Sequence, residues 1–202
     1  KRLNDFVFQS TQDIDHNIQL MDKYMKKHHP EYFFVAPTKT RDGQTICFIE
    51  NKGWFRLIPF VEESFTLTVV ETADQAYEAA AQFGQFTYML SGLDAEALKI
   101  TIPDFHNLSL RFDQFEKAVN YGNPDRIYIT KNLIHRLYAH ADIVKEYNKR
   151  IAHPQFKKRT THHDTKISNV LFDSQYKGLC VIDLDTVMPG YFFSDVGDMM
   201  RT

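Results

Sequence analysis

Two short apolar runs, Val170-Leu171-Phe172 and Leu179-Cys180-Val181-Ile182, stand on either side of Asp173-Ser174-Gln175-Tyr176-Lys177-Gly178. Apolar runs of strand length joined by a polar connector that ends in glycine predict an antiparallel hairpin. Antiparallel partners keep a constant index sum, so pairing Leu171 with Val181 predicts Asn169 opposite Asp183. Directly opposed residues have Cα atoms roughly 4.5–5.5 Å apart. An amide oxygen and a carboxylate side by side at the open end of a hairpin can share one hard cation. Mg²⁺ prefers such oxygen ligands and keeps waters and substrate phosphates for the rest of its shell. Asn169 and Asp183 are therefore the predicted metal ligands.

Immediately before Asn169 runs His163-Asp164-Thr165-Lys166-Ile167-Ser168. A catalytic loop of the protein-kinase type carries a His, an Asp, and an Asn five residues after the Asp, which is the spacing of Asp164 and Asn169. In that chemistry the Asp accepts the proton of an attacking hydroxyl, while the Asn and a later Asp hold Mg²⁺ on the phosphates of ATP. The spacing makes Asp164 the predicted base and Lys166 a phosphate contact. His163 is read as a structural anchor that positions the loop, and Asp185 as a brace.

The rest of the chain is sheet-rich first and helix-rich second. Asp13 to Lys27 places Ile14, Ile18, Met21 and Met25 at helical spacing, and His28-His29-Pro30 ends that helix. Phe33 to Val35, Thr45 to Glu50 and Trp54 to Val61 read as strands of a small antiparallel sheet. Glu62-Glu63-Ser64 is the linker, dividing residues 1–61 from residues 62–202. Ala73 to Leu93 reads as a helix with Ala76, Ala80, Phe83, Phe86 and Leu90 on one face. Phe112 to Tyr121 and Thr130 to Ile151 are further helices. The expected class is α+β, a kinase-like arrangement of two lobes truncated at both ends.

Composition excludes several functions. The formal net charge of -2 offers no basic surplus for nucleic acid. No run approaches the roughly 18 apolar residues of a membrane span, and Lys1-Arg2-Leu3-Asn4 leads into no signal-peptide core. Cys47 and Cys180 each sit in an apolar run and read as buried thiols in a reducing compartment, with the cytoplasm expected.

Asp164 with Asn169, then Ile182-Asp183, then Asp195-x-Gly197-Asp198 resembles the aminoglycoside phosphotransferase and choline kinase superfamily. The fuller strings His163 to Phe172 and Val181 to Gly190 are most similar to the N-acetylhexosamine 1-kinases. Looser similarity extends to Arg2-Leu3-Asn4, Trp54-x-Arg56 and Ile102-Pro103-Asp104-Phe105-His106. The resemblance implies ATP and Mg²⁺ as cofactors, a partial nucleotide-binding lobe over 1–61 and a partial catalytic lobe over 62–202. The acceptor it implies is a small molecule, a sugar or an amino alcohol, with the anomeric hydroxyl of an N-acetylhexosamine favoured. It makes Asp195 a buried anchor for the loop backbone, turns Thr186 to the sugar, and makes Phe60-Val61-Glu62 the hinge that meets adenine. No two glycines stand close enough to form a phosphate loop before the hinge. Arg2 or Lys1 stands nearest the place of the usual phosphate-gripping lysine, and Asp13 or Asp15 nearest that of its acidic partner.

Two other functions fit parts of the sequence. A metal-dependent phosphohydrolase of the adjacent His-Asp type would use His163-Asp164 but would leave the hairpin without a role. A kinase-like binding module without catalysis would keep the fold and lack the phosphate loop.

Overall fold

The structure, a computed structural model, describes residues 1–201. These form two compact units: Lys1–Pro103 together with the chain from Lys158 onward, and Asp104–Lys157.

In the first unit, helix α1 (Thr11–His28) starts where the Ser10 hydroxyl accepts the Asp13 N–H, and it closes with Lys26, Lys27 and His28 facing the negative end of the helix dipole. Its buried face is Ile14, Ile18, Met21 and Met25, as the periodicity predicts. Helix α2 (Ala73–Met89) opens with a capping box between Thr72 and Gln75. It buries Ala79, Phe83 and Phe86, whereas Ala76 and Ala80, predicted on the same face, are exposed. The two phenylalanines set the rotation of the helix, since burying each aromatic ring is worth about 1.5–3 kcal/mol and burying an alanine methyl far less.

The described strands pair as three two-stranded antiparallel sheets. β1 (Cys47–Ile49) pairs with β2 (Gly53–Phe55), β3 (Arg159–Thr161) with β6 (Met188–Gly190), and β4 (Val170–Phe172) with β5 (Gly178–Val181). Residues 1–3 run along the other edge of β2. Leu3 N–H donates to Trp54 O at 2.9 Å, and Arg56 N–H donates to Lys1 O at 2.9 Å. The strands are shorter than the apolar runs predict. Phe33 to Val35 lies outside any strand, and beyond Phe55 the predicted third strand keeps only an isolated bridge between Thr38 and Leu57. Cys47 is exposed, contrary to its apolar setting, because all of β1 faces solvent. Cys180, Val170, Phe172 and Val181 are buried with α1 and α2 in one core.

The second unit consists of four helices: α3 (Leu108–Tyr121), α4 (Pro124–Ile129), α5 (Lys131–Ala139) and α6 (Asp142–Ile151). Asn107 and Asn123 cap α3 and α4, the latter with Pro124 at its first position. The helix predicted over Thr130 to Ile151 is broken at His140 and Ala141 into α5 and α6. Phe112, Phe115 and Tyr138 pack ring to ring within the unit. A final helix, α7 (Phe192–Arg201), belongs to the first unit. No helix among the described residues is long and apolar enough to cross a membrane.

Candidate active site

The loop between β3 and β4 carries Asp164, and α7 holds that loop by its backbone. Asp195 is buried, and its two carboxylate oxygens accept the N–H groups of His162 and His163, each at 2.8 Å. One turn further along α7, Asp198 accepts the Thr165 N–H at 2.9 Å. The Thr165 hydroxyl returns a bond to Asp195 O at 2.7 Å. A buried carboxylate is costly unless hydrogen-bonded, and here its partners are the amides of the two residues before Asp164. The anchoring predicted for Asp195 is the arrangement observed.

His162 is the residue that sequence reasoning missed. Its ring packs edge-on against Phe83 and Phe86. Nε2 meets Ile182 O at 3.0 Å, and Nδ1 accepts the Asp164 N–H at 3.3 Å. Those partners assign the tautomer, with the proton on Nε2. Burial pushes its pKa down, against the pull of Asp195, Asp164 and Asp183, so the ring is neutral. The signal was in the spacing, since the His of the kinase loop lies two residues before its Asp, which is position 162. His163 has a different task. It takes a left-handed backbone at φ 68°, and its Nε2 lies 2.8 Å from the Thr161 hydroxyl. Its ring fills the space where a side chain at Gly190 would stand. It packs against β6 at that point.

The Asp164 carboxylate is partly open, with 28% of its side chain accessible. Its Oδ2 accepts from Lys166 Nζ at 2.6 Å and from Asn169 Nδ2 at 2.9 Å. The Asn169 amide also donates to Asp164 O at 2.8 Å, closing the loop on itself. With Nδ2 fully used, Asn169 keeps Oδ1 as a spare hard-oxygen acceptor.

The hairpin forms in a register one residue away from the predicted one. Val170 pairs with Val181 and Leu171 with Cys180, and Asn169 O accepts the N–H of Ile182 at 2.8 Å. Asn169 therefore faces Ile182, not Asp183. Core burial favours this pairing, since it sets Val170 directly against Val181, both fully buried, where the predicted register would set Val170 against the half-buried Ile182. Asp183 leaves the strand in a left-handed conformation, φ 58°, which ends the pleat just past the pair. A left-handed non-glycine residue is uncommon and collects at functional sites.

Asp183 Oδ1 lies 2.5 Å from Lys1 Nζ, and Asp185 Oδ2 lies 2.9 Å from the same atom. Burial pushes the Asp183 carboxyl up, but Lys1, with Arg56 behind it, outweighs burial and holds it below its ordinary value. Arg56 closes the cluster by pairing with Asp185, both side chains being buried. Asp185 is thus a brace, as predicted. Lys1, not Arg2, enters the site. Side chains alternate along a strand, so Lys1 and Leu3 turn inward while the Arg2 guanidinium lies over Gly53 on the other side. Neither Asp13 nor Asp15 partners the lysine; Asp15 is bound to Thr45 and Gln19.

A pocket of about 440 Å³ runs from the predicted hinge to this cluster, lined among others by Ile58, Phe60, Val61, Leu171, Lys1 and Asp183. Its walls are apolar and its end is charged, a shape suited to a flat base with a charged tail. Glu62, predicted with the hinge, does not line it and is exposed. Thr186, predicted to face a sugar, donates its hydroxyl to His162 O at 2.7 Å and so braces the loop. The donor set suits a hard cation through the ionised Asp183 and Asn169 Oδ1. Among the described residues no three His, Cys, Asp or Glu side chains converge on a metal position, so waters and phosphate oxygens would supply the remaining ligands.

A loop whose Asp is held by an Asn five residues later and whose backbone is held by carboxylates of a later helix, with a further Asp just past a hairpin, is an arrangement of the kinase type. Residues 39–202 match the phosphotransferase enzyme family, and the chain belongs to that family. Among solved structures it is similar to an aminoglycoside phosphotransferase from Alicyclobacillus acidocaldarius (TM-score 0.66, 13% identity), covering 95% of this chain and 58% of that one. It is also similar to an amicoumacin kinase in complex with AMP-PNP, Ca²⁺ and Ami (TM-score 0.60, 13% identity, 94% of this chain and 53% of that one). A spectinomycin phosphotransferase in complex with ADP and spectinomycin gives a TM-score of 0.59 at 16% identity, over 95% of this chain and 60% of that one. At such identities the likeness is one of fold, and the chain spans less than two thirds of each of these structures.

Proposed function

We propose that this chain carries the catalytic core of an ATP- and Mg²⁺-dependent small-molecule kinase that phosphorylates a sugar hydroxyl, the anomeric hydroxyl of an N-acetylhexosamine. Residues 1–61 would contribute to its nucleotide-binding lobe and residues 62–202 to its catalytic lobe. One observation carries the reading. Asp164 is fixed by Asn169 and Lys166 on a loop that α7 clamps, while Asp183 and Lys1 stand at the charged end of an apolar pocket.

In the reaction Asp164 takes the proton from the acceptor hydroxyl as its oxygen bonds to the γ-phosphorus of ATP, and the bond to the bridging oxygen of ADP breaks. Lys166, beside Asp164, faces the negative charge on the transferring group. Asn169 and Asp183 would hold Mg²⁺, which when bound neutralises phosphate charge and orients the γ-phosphoryl group. Phe60 and Val61 would contact the adenine. Two free thiols and the need for ATP support a cytoplasmic location.

The adjacent His-Asp phosphohydrolase finds little support here, because both ring nitrogens of His162 and Nε2 of His163 are engaged in the protein and both rings are buried. His162 is bound to Ile182 and Asp164, and His163 Nε2 to Thr161. The test is ADP release by the full-length protein with ATP, Mg²⁺ and a panel of N-acetylglucosamine, N-acetylgalactosamine, choline, homoserine and methylthioribose. The N-acetylhexosamines are expected to stimulate release, with ³¹P NMR locating the phosphate on C1. Nucleotide binding without acceptor-stimulated release would instead mark a non-catalytic binding module.

A further inference from the structure

We infer that Arg56 is a positioning residue for Lys1, acting through Asp185, and that the pair lets Lys1 exchange Asp183 for a nucleotide phosphate without leaving the pocket. The inference rests on the nucleotide site proposed above.

Lys1 and Arg56 are directly opposed across an antiparallel pair. Arg56 N–H donates to Lys1 O at 2.9 Å, and the Lys1 main-chain nitrogen donates back to Arg56 O at 2.8 Å. Opposed residues of such a pair project from the same face, so two cations stand side by side, an arrangement that destabilises a sheet unless an anion intervenes. Asp185 is that anion, bound to Arg56 and 2.9 Å from Lys1 Nζ. The acidic side chains of α1 make no contact with Lys1, so the loop after β5 supplies both carboxylates that hold it.

Stability alone accounts poorly for this arrangement. Arg56 Nε and Nη1 are buried without hydrogen-bond partners. A buried ion pair with unsatisfied donors contributes little compared with an apolar pair of the same volume. Its yield is geometry. Arg56 is rooted in the strand edge and holds Asp185 in one place, which leaves Lys1 two posts of unequal permanence. Asp183 is 39% accessible and is the proposed metal ligand, whereas Asp185 is buried and already neutralised by Arg56. When a cation takes Asp183, Lys1 is displaced from Oδ1 but stays tied to Asp185. Its ammonium is then delivered to the nucleotide phosphates at the pocket end.

The test is a double-mutant cycle on the full-length protein, with Arg56→Lys and Asp185→Asn each made alone and with Lys1→Met. ATP affinity is measured by calorimetry in EDTA and across a Mg²⁺ series, and each variant's melting temperature is recorded. With Lys1 present, Arg56→Lys and Asp185→Asn are each expected to weaken ATP binding at saturating Mg²⁺ about tenfold, and in the Lys1→Met background by less than about twofold. Equal losses in both backgrounds would show a merely structural role and overturn the inference, as would unchanged affinity in either single variant. Two substitutions of opposite charge partners guard against one failing to fold. Wild-type protein that binds no ATP at any Mg²⁺ concentration overturns the nucleotide site itself and the inference with it. Binding with additive losses overturns the inference alone.

Discussion

The Asn169 side-chain amide donates both to the backbone carbonyl of Asp164, at 2.8 Å, and to its carboxylate, at 2.9 Å. The two residues are locked in one small ring of bonds, so the carboxylate that would receive a proton and the amide oxygen that would meet a metal share one rigid frame. Pre-organisation of this kind lowers the reorganisation needed at the moment of reaction.

Asp164→Asn in the full-length protein should reduce kcat by about 10²–10⁴-fold, the usual contribution of a general base, while ATP affinity stays near wild type. Steady-state kinetics with calorimetry on the same preparation separates the two. Wild-type turnover, or recovery of turnover on raising Mg²⁺, would contradict the role of Asp164 as base.

Asp183→Asn should act on the nucleotide instead, weakening Mg²⁺-dependent ATP binding and shifting the Mg²⁺ requirement upward. Because the folded protein holds the Asp183 carboxyl below its ordinary value, its charge and its pairing with Lys1 are present above the unfolded pKa and are lost only as pH falls through the depressed folded one. Mg²⁺-dependent binding by the wild type should therefore persist down to about pH 5. A Mg²⁺ titration at several pH values measures both effects, and loss of binding at mildly acidic pH would argue against Asp183 as the ligand.

His162 should make the fold acid-sensitive. Its folded pKa lies below its unfolded one, so the unfolded chain binds the proton first. Stability therefore falls as pH drops below about 6.5, by at most about 1.4 kcal/mol per pH unit for one proton. Urea unfolding between about pH 7 and about pH 5 should show this slope. His162→Gln should start from a lower stability and show a flatter profile over the same range.

The two cysteines should differ in reactivity. Burial pushes the Cys180 thiol up to about 12, which keeps it protonated and unreactive at neutral pH, whereas Cys47 is exposed. Iodoacetamide at about pH 8 should label Cys47 in the folded protein and Cys180 only after denaturation. Peptide mass spectrometry distinguishes the sites, and rapid native labelling of Cys180 would contradict the packing of β5.

Local pattern in the sequence determined the helices that bury an apolar stripe and the loop chemistry. Ile14, Ile18, Met21 and Met25 can share one face only as a helix, and the interval from Asp164 to Asn169 is set by the loop that joins them. Asp195 was legible as an anchor only through the resemblance of Asp195-x-Gly197-Asp198 to the phosphotransferase pattern. Tertiary structure decided what depends on competition among distant groups. The hairpin could pair in either of two registers, and burial of Val170 against Val181 favoured the one that places Asn169 opposite Ile182. Strand alternation at residues 1–3, visible only once Lys1 had paired with Arg56, turned Lys1 and not Arg2 into the site. The hydroxyl of Thr186 went to the His162 carbonyl, 24 residues away in sequence, because a buried backbone acceptor must be satisfied by whatever donor the fold brings to it.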